Sequence, residues 1–555
     1  MSRIDLPSER RVGHLTLHRH GRKLTIEEYN ALTRGERLEM IHRARGKQKY
    51  DLLLNAVDAE QLTPQLHPQE LYLLINELGP EYSVDLLTMA SPDQITTLLD
   101  LDCWDGDTLS PMLTLHWLQL LLETGPEKVC QLARDIEPEI LVIFLKKHLT
   151  IIRGLEAYDD DDAENANRME SIYDINFASE DAAKIIGAFL RILMELVQES
   201  YLLLMEMTRS ELTTTLEEEV FQGRNHRLSD LGFVPSVEAR GIYTFIDPEG
   251  FVPGGKRDFQ LEAKALQNPG ALLAQASPDN LLAELLSNGL NHELASELCL
   301  LANRKMSADG TDISTAAEVG GSLQELYDTL NLALEYLAGT DIDKAEQIIN
   351  SSYLLHLFQL GHSLLKRARD SAQTILDSPI GPFLDYPEQL FLDALVEQPP
   401  VLYREACADK PSNLQSITTL KDLELVNLRL QQIKELQRLF CELLPFSLPA
   451  DEEETATGFS LSVLFLTAVA NQLLGRPFTP AAVSAEDPPR LKELTFAGNK
   501  LAPEFQNQLH ALLTQLEVNC GFFVEFCLEC WQEDLGGIDP GEPDTDYHLC
   551  LWVEK

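Results

Sequence analysis

Short segments that each begin with a proline recur through the first 150 residues, and they limit the fold more than any other feature. Three spacings between successive prolines are 12 residues. Proline at the first helical position loses no hydrogen bond, and an acid directly after it, present in four of five segments, complements the helix dipole. Apolar residues three, six and seven places later share one helix face. Each segment therefore predicts a short helix, and the five begin at Pro68, Pro80, Pro92, Pro126 and Pro138.

Helices this short cannot bury an apolar stripe alone, so they are expected to stack side by side. Leucine makes up roughly one residue in six, and apolar residues recur at intervals of three and four, which indicates helix elsewhere too. The predicted fold class is mainly α, with a short-helix superhelical N-terminal domain, a larger helical body and a small mixed α/β junction. The predicted segments are a basic N-terminal arm at 1–49, the short-helix repeat domain at 50–155, an acidic bridge, long helix and mixed junction at 156–262, a helical domain at 263–447, and a C-terminal helical region with a candidate terminal strand at 448–555. Within them, the acidic bridge is predicted at 156–171, the long helix at about 179–218, and one helix of the helical domain at 343–377.

Two resemblances to known families extend this interpretation. The Pro-Glu/Asp-x-apolar-x-x-Leu-Leu units over 50–150 resemble the short-helix superhelical domain at the N-terminus of the MgtE magnesium transporters, and a related arrangement in flagellar motor switch proteins. The whole chain resembles an uncharacterised family of large acidic helical bacterial proteins, through Asp100-Leu-Asp-Cys-Trp104 and Leu357-Phe-Gln-Leu-Gly-His362. The first resemblance implies a link to magnesium, and the second implies a bacterial source without a known activity.

The charge of the chain is strongly acidic and unevenly spread. It carries 89 Asp and Glu against 44 Lys and Arg, a formal net charge of −45. Residues 1–50 hold 12 basic and 6 acidic residues, so the acidic excess lies entirely in the remainder. A nucleic-acid backbone would be repelled by that acidic body, which excludes it as a nucleic-acid-binding surface. The basic arm either packs on the body or binds an anionic partner, lipid or nucleic acid.

Targeting and redox features predict a cytoplasmic protein without a membrane span. The N-terminus has charges but no apolar core of a secretory signal. The most apolar stretches, near 112–122, 183–207 and 459–474, are too short or too interrupted by charge to cross a bilayer. Nine cysteines without dense spacing fit reduced thiols rather than a disulfide framework.

The C-terminal cysteines form the first candidate site. Cys527, Cys530, His548 and Cys550 supply the four ligands that a structural zinc ion takes. The alternative is a set of core thiols, because Cys520, Cys527 and Cys530 follow each other at helical intervals on one predicted buried face. The alternative is favoured, since no tight glycine turn separates Cys527 from Cys530.

A polar run in the predicted junction forms the second candidate site. Arg224, His226 and Arg227, joined by Arg240, are a candidate pocket for a small anion or ligand. Ion pairing with nearby acidic residues, between two halves of the chain, is the favoured alternative.

Two further motifs look like sites and are interpreted otherwise. Gly250 to Lys256 matches the P-loop spacing, and a strand is predicted before it at 241–247. However, Arg257 replaces the magnesium-binding hydroxyl and Pro253 removes one amide, so a glycine-rich linker is favoured. His14, His18 and His20 lie among arginines that disfavour a metal ion, and they are interpreted as solvated or packing residues.

These features predict a scaffold or regulatory protein that acts through protein–protein contacts, because stacked short helices offer extended surfaces. One alternative is a regulator that responds to magnesium through its carboxylates. Another is an enzyme with an unrecognised site in the helical body. No cofactor is predicted beyond zinc or magnesium as options, and the sequence contains no familiar catalytic motif.

Overall fold

The structure is a computed structural model, and it confirms the mainly α fold class. It is 72% helical, and the strands within the described residues form short pairs. The residues that it describes are 3–4, 24–153, 173–256, 273, 280–287, 292–404, 414–449, 459–498, 500–538 and 550–554. The predicted histidine cluster at 14, 18 and 20 and the acidic bridge at 156–171 lie outside them.

The chain divides into two compact units, each with its own hydrophobic core. The core of unit 1 is built from residues between Tyr29 and Val220, and that of unit 2 from residues between Leu332 and Leu551. Unit 1 comprises Met1–Thr244, Pro253–Leu330 and Ile342–Phe358, and unit 2 comprises Phe245–Val252, Asn331–Asp341 and Gln359–Lys555.

Unit 1 opens with a series of short helices that we call the array. All five proline-initiated segments form helices that begin at the predicted proline. The helices of the array are α1 (Ile26–Asn30), α2 (Arg34–Arg43), α3 (Gly46–Asn55), α4 (Ala59–Leu62), α5 (Pro68–Leu78), α6 (Pro80–Met89), α7 (Pro92–Asp102), α8 (Pro111–Glu123), α9 (Pro126–Asp135) and α10 (Pro138–His148).

Local chemistry sets the ends of these helices. Ser91 accepts a hydrogen bond from the Gln94 amide, and the Gln94 side chain bonds back to the Ser91 amide, which forms a capping box. Gly79 ends α5 and begins α6 with φ +82°, a left-handed conformation that a side chain would strain. Sharp reversals of this kind let ten-residue helices follow one another closely.

The array packs through sequence neighbours and, at α8, α9 and α10, also against the helices that follow it in the chain. From α2 to α9, helices contact the next helix or the next but one, as in repeat proteins. Tyr29, Met40 and Ile41 are fully buried in the same core as the proline-initiated helices. The packed array therefore begins inside the segment predicted as a basic arm.

Residues after the array differ from the sequence prediction in two respects. The single helix predicted over 179–218 is broken at Val197 and at 211–212, where the backbone leaves the helical region. The strand predicted over 241–247 is not formed, because Ser236 begins a helical turn that continues as a 3-10 turn to Tyr243. The helices here are α11 (Glu180–Leu196), α12 (Gln198–Ser210), α13 (Thr213–Asp230) and α14 (Ser236–Ala239).

The rest of the described chain is helical as predicted, although the helix expected over 343–377 is interrupted near Ser352. The unit boundaries fall within α17 and α19, so these helices belong partly to each unit. The helices are α15 (Leu281–Ser287), α16 (His292–Asp309), α17 (Ala316–Ala338), α18 (Ile342–Ser351), α19 (Leu354–Leu376), α20 (Tyr386–Val396), α21 (Leu420–Arg438), α22 (Leu461–Leu473), α23 (Asp487–Thr495), α24 (Pro503–Gln515) and α25 (Gly521–Gly536).

Strands occur as antiparallel pairs. The predicted terminal strand is represented, within the described residues, by one bridge between Val483 and Val553. The strand pairs are Arg3–Ile4 with Leu24–Thr25, Trp104–Asp105 with Thr108–Leu109, Leu149–Arg153 with Asp174–Phe177, Val401–Tyr403 with Leu414–Ser416, and Phe496–Ala497 with Lys500–Leu501.

None of the helices that the structure describes has both the length and the apolar character needed to cross a bilayer.

Candidate functional site

The arginines predicted to line an anion pocket face carboxylates of their own unit. Arg227 donates through Nε and Nη2 to the two oxygens of Asp100, at 2.7 and 3.0 Å, and through Nη1 to Glu137 at 2.8 Å. Arg224 donates to the Asp100 carbonyl at 2.8 Å, and its guanidinium lies 5.3 Å from the Trp104 ring centre. Arg227 therefore forms ion pairs inside unit 1, whereas Arg224 is held by a backbone carbonyl and an aromatic ring. The anion pocket stays a prediction.

The other two residues predicted for that pocket lie apart from these contacts. His226 follows Arg224 on α13 but has an exposed side chain. Arg240 is exposed too, and it lies in the 3-10 turn after α14. The structure therefore brings together two of the four predicted residues.

The Asp100–Trp104 segment, which carried the family resemblance, connects several elements of unit 1. Asp102 accepts hydrogen bonds from the Tyr72 hydroxyl at 2.8 Å and from the Trp117 indole at 2.7 Å. Asp100 binds α13 through Arg227, and Cys103 is buried in the core. The motif thus joins α5, α7, α8 and α13 by its side chains.

The P-loop-like segment makes contacts that differ from those of a phosphate loop. Lys256 forms an ion pair with Glu297, and the Lys256 amide donates to the Ser351 carbonyl at 3.0 Å. The Gly254 amide donates to Ser352 Oγ at 2.9 Å. The lysine and two of the amides are therefore engaged within unit 1, as expected for a structural linker.

The C-terminal cysteines lie in the core of unit 2. Cys527 and Cys550 are buried and Cys530 is half-buried, while His548, the fourth predicted zinc ligand, lies outside the described residues. Within the part of the chain that the structure describes, no three His, Cys, Asp or Glu side chains are grouped to hold a metal ion. The zinc site therefore stays a prediction.

These thiols are held in their protonated form. Burial raises the pKa of Cys530 to about 12 and the pKa of Cys527 well above its usual range, and neighbouring carboxylates raise both further. Asp385 acts on both cysteines, and Glu388 acts on Cys527. A protonated thiol in an apolar setting behaves as a small hydrophobic side chain.

Those carboxylates belong to a buried polar group that we call the carboxyl cluster: Asp385, Glu388 and Arg429. Asp385, just before α20, accepts hydrogen bonds from the Ser462 amide at 3.0 Å and from its hydroxyl, at the start of α22. Glu388 Oε1 accepts from Arg429 Nη2 of α21 at 2.7 Å. The Arg429 guanidinium also lies 3.7 Å from the ring centre of Phe522 in α25. The cluster therefore links four helices of unit 2.

The carboxyl cluster is only partly satisfied. Glu388 is 3% exposed, and its Oε2 has no hydrogen-bond partner among the described residues. Burial raises the pKa of Glu388 to about 7, because Arg429 offsets the lost hydration only in part and Asp385 adds a like charge. Burial also raises the pKa of Asp385. Shifted carboxyls in a dry setting are typical of groups that exchange protons near neutral pH.

Unit 1 contains a second buried group, which we call the Glu70 cluster: His42, Lys49 and Glu70. Lys49 Nζ donates to Glu70 Oε1 at 2.6 Å, and His42 Nδ1 lies 3.1 Å from Glu70 Oε2. Burial alone would raise the pKa of Glu70, but Lys49 and His42 outweigh it and lower that pKa. Both oxygens of this carboxylate therefore have partners.

The outer surface of the array has an unusual charge pattern. From Asp51 to Glu127 the chain contains 14 acidic residues and no Lys or Arg. Large apolar side chains are exposed on the same stretch, with Val57 at 80% and Met112 at 75%. None of its exposed carboxylates forms an ion pair with another described residue. They are Glu60, Glu77, Asp85, Asp93, Asp105, Asp107, Glu123 and Glu127, which we call the acidic surface.

Sequence reasoning missed both buried clusters because their residues have no motif. Glu70 and Glu388 each occupy the third position of a helix that has proline in its first turn. At that position an acid is usually explained by the helix dipole. The sequence around each glutamate is strongly apolar, and this pattern could have predicted that the glutamate is buried. A buried carboxylate is expected to lie beside a cation.

The fold and these sites define a mainly α protein with a repeat-like array, an acidic surface and two buried carboxylate clusters. The chain belongs to a family of unknown function, DUF6178, whose model matches residues 26–554. That match supports the predicted membership of an uncharacterised family. Neither the curated proteins nor the solved structures include a match to the chain.

Proposed function

We propose that this protein is a scaffold or regulatory protein, and that the acidic surface of the array is where it contacts a basic protein partner. The observation that supports this proposal is the separation of charges within the array. Its buried acids are balanced by cations from outside the Asp51–Glu127 stretch, such as Lys49 and Arg227. The exposed acids have no such partner among the described residues.

A repeat-like array suits this role for a physical reason. From α2 to α9, helices pack on the next helix or the next but one, an arrangement that gives repeat proteins extended binding surfaces. Carboxylates without an ion-pair partner attract a cationic protein over about 10 Å at 0.1 M salt. Exposed apolar residues such as Met112 add contact area.

Capture from the native cell by the full-length chain, with reversible cross-linking, tests the proposal. The array variant carries Glu60→Gln, Glu77→Gln and Glu127→Gln, and the control carries Glu424→Gln, Glu442→Gln and Glu493→Gln, all at exposed positions. We expect the wild type and the control to retain the same basic protein and the array variant to lose most of it. Equal capture by both variants, or no stoichiometric partner of the wild type, would contradict the proposal.

A magnesium-responsive regulator is the second candidate, and the same acidic surface supports it. Mg²⁺ prefers carboxylate oxygens and keeps several waters, which suits exposed Asp and Glu. The resemblance of 50–150 to the N-terminal domain of magnesium transporters points in the same direction. Millimolar MgCl₂ should then reduce the radius of gyration of the full-length chain, and KCl of equal ionic strength should not. An equal response to both salts would reject magnesium sensing.

A further inference from the structure

The carboxyl cluster of unit 2 places two buried acids one turn apart, with Arg429 paired to Glu388 and serines bound to Asp385. Asp385 and Glu388 lie one turn apart at the start of α20, and both are at least 95% buried. Arg429 binds only Glu388 Oε1 of the two oxygens, and it also lies against Phe522. The cluster therefore carries more potential negative charge than its one guanidinium balances.

Around Glu388, Arg429 and a backbone hydrogen bond favour the charged carboxylate, whereas burial and Asp385 oppose it and outweigh them. Its charged and titratable neighbours are Asp385 before the same helix, Arg429 on α21 and the Cys527 thiol on α25. The α22 side presents only the amide and hydroxyls of Ser460 and Ser462, which bind Asp385. The strand Val401–Tyr403, which packs on α20, supplies no cation.

We propose that Glu388 is a proton-operated latch of unit 2, which holds α20 against α21 and α22 when its carboxyl is protonated and loosens them when it is charged. Protonation removes the uncompensated negative charge while Arg429 keeps a hydrogen bond to the carbonyl oxygen. Deprotonation leaves Oε2 charged, buried and without a donor among the described residues, which favours opening of the first turn of α20. This inference concerns unit 2 and is independent of the acidic surface of unit 1.

The direction and size of the pH effect follow from the surroundings of Glu388. Burial raises the pKa of Glu388 from its ordinary 4.5 to about 7. Between these two pH values the carboxyl is therefore protonated in the folded unit and ionised in the open form. The stabilisation is complete below pH 4.5 and is lost as pH rises through 7. Between pH 6 and pH 8 the opening equilibrium should rise about tenfold.

Hydrogen exchange of the full-length chain at pH 6 and pH 8, corrected for intrinsic rates, tests the latch. In the wild type, peptides from α20 and from the start of α22 should open about tenfold more at pH 8. In Glu388→Gln, which mimics the neutral acid, these peptides should open equally at both pH values. The control Glu397→Gln, at the exposed end of the same helix, should keep the wild-type pH dependence.

A second variant keeps the test decisive if Glu388→Gln fails to fold. Asp385→Asn removes the like charge beside Glu388 but keeps an acceptor for the Ser462 amide, so it should move the pH midpoint of opening downward. Absence of a pH-dependent change in the wild-type α20 peptides overturns the latch. Retention of the wild-type dependence in Glu388→Gln, or an unmoved midpoint in Asp385→Asn, overturns it too.

Discussion

Glu70 in unit 1 and Glu388 in unit 2 occupy the same position in similar helices, yet their surroundings shift their pKa values in opposite directions. Each is the third residue of a helix, is buried, and contacts a cation, with N···O distances of 2.6 and 2.7 Å. Burial opposes ionisation in both. Glu70 overcomes it with partners on both oxygens, whereas Glu388 has a partner on one oxygen and a like charge nearby.

The difference shows that one short ion pair does not decide how a buried carboxyl behaves. The cost of dehydrating a carboxylate is several kcal/mol, so a single cation shared with other contacts can leave it uncompensated. Burial, the donors at each oxygen and the neighbouring charges act together, and donors on both oxygens are not sufficient. Asp100 has an Arg227 donor on each oxygen, and burial still raises the pKa of Asp100. Unit 1 therefore uses its buried glutamate for stability, and unit 2 holds one that is poised to exchange a proton.

Breaking the satisfied pair should have the largest effect. Lys49→Met leaves Glu70 buried with only His42, and we expect the free energy of unfolding of unit 1 to fall by about 3–5 kcal/mol. Lys47→Met, an exposed change on the same helix, is the control and should stay within about 0.5 kcal/mol. Denaturant-dependent hydrogen exchange of unit 1 peptides measures both. Equal effects of the two changes would show that the buried pair contributes little.

A third buried carboxylate sharpens the comparison. Asp100 receives two hydrogen bonds from Arg227. Arg227→Lys keeps the charge but loses the planar fork, so we expect a loss of about 1–2 kcal/mol in the same exchange measurement. His226→Lys, at an exposed position on the same helix, should have little effect. No loss in Arg227→Lys would mean that charge alone, without two-point geometry, satisfies Asp100.

The two units should also respond to acid differently. The lowered pKa of Glu70 means that its contribution to stability is present above the ordinary glutamate pKa and is lost as pH falls through the folded value. Unit 1 peptides should therefore lose protection in acid, and Glu70→Gln should remove that part of the loss. For Glu388 the pH dependence of stability has the opposite sign, because its raised pKa makes the contribution disappear as pH rises. An acid response of unit 1 that is unchanged in Glu70→Gln would contradict this account.

The smallest effect is expected at the cysteines. If they are core thiols, as the raised pKa values favour, purified protein should contain no stoichiometric zinc. A maleimide should label the exposed Cys441 in the native state and Cys527 only after unfolding. Cys530→Ala should change the free energy of unfolding of unit 2 by about 1 kcal/mol or less. Stoichiometric zinc, with unfolding on its removal, would instead support the predicted metal site.

The elements of this protein were predictable from local signals. Proline at the first helical position, as in Pro92, and caps such as Ser91 act within one turn, and the structure confirms the helices that they predicted. The strand expected over 241–247 was wrong because β-branched and aromatic residues can equally fill a core from a helical turn. Ile242 does so from a 3-10 turn.

The sites were less predictable because they depend on distant partners. Arg224 and Arg227 were identified as candidates because they lie in a polar run of the sequence. Asp100, which both arginines contact, lies more than 120 residues earlier in the chain. Arg227 forms ion pairs with Asp100 and Glu137, whereas Arg224 binds the Asp100 backbone carbonyl. Glu388 and Arg429 lie 41 residues apart, and no local pattern connects them.

By itself, the sequence determined the mainly α fold class, the starts of the short helices and the acidic charge of the body, because these depend on neighbours along the chain and on composition. Only the tertiary structure decided which acids are buried, which cation each one meets, and that Glu70 is fully satisfied while Glu388 is not. The physical reason is that ionisation in a folded protein depends on dehydration and on charges a few ångströms away, and packing alone brings those groups together.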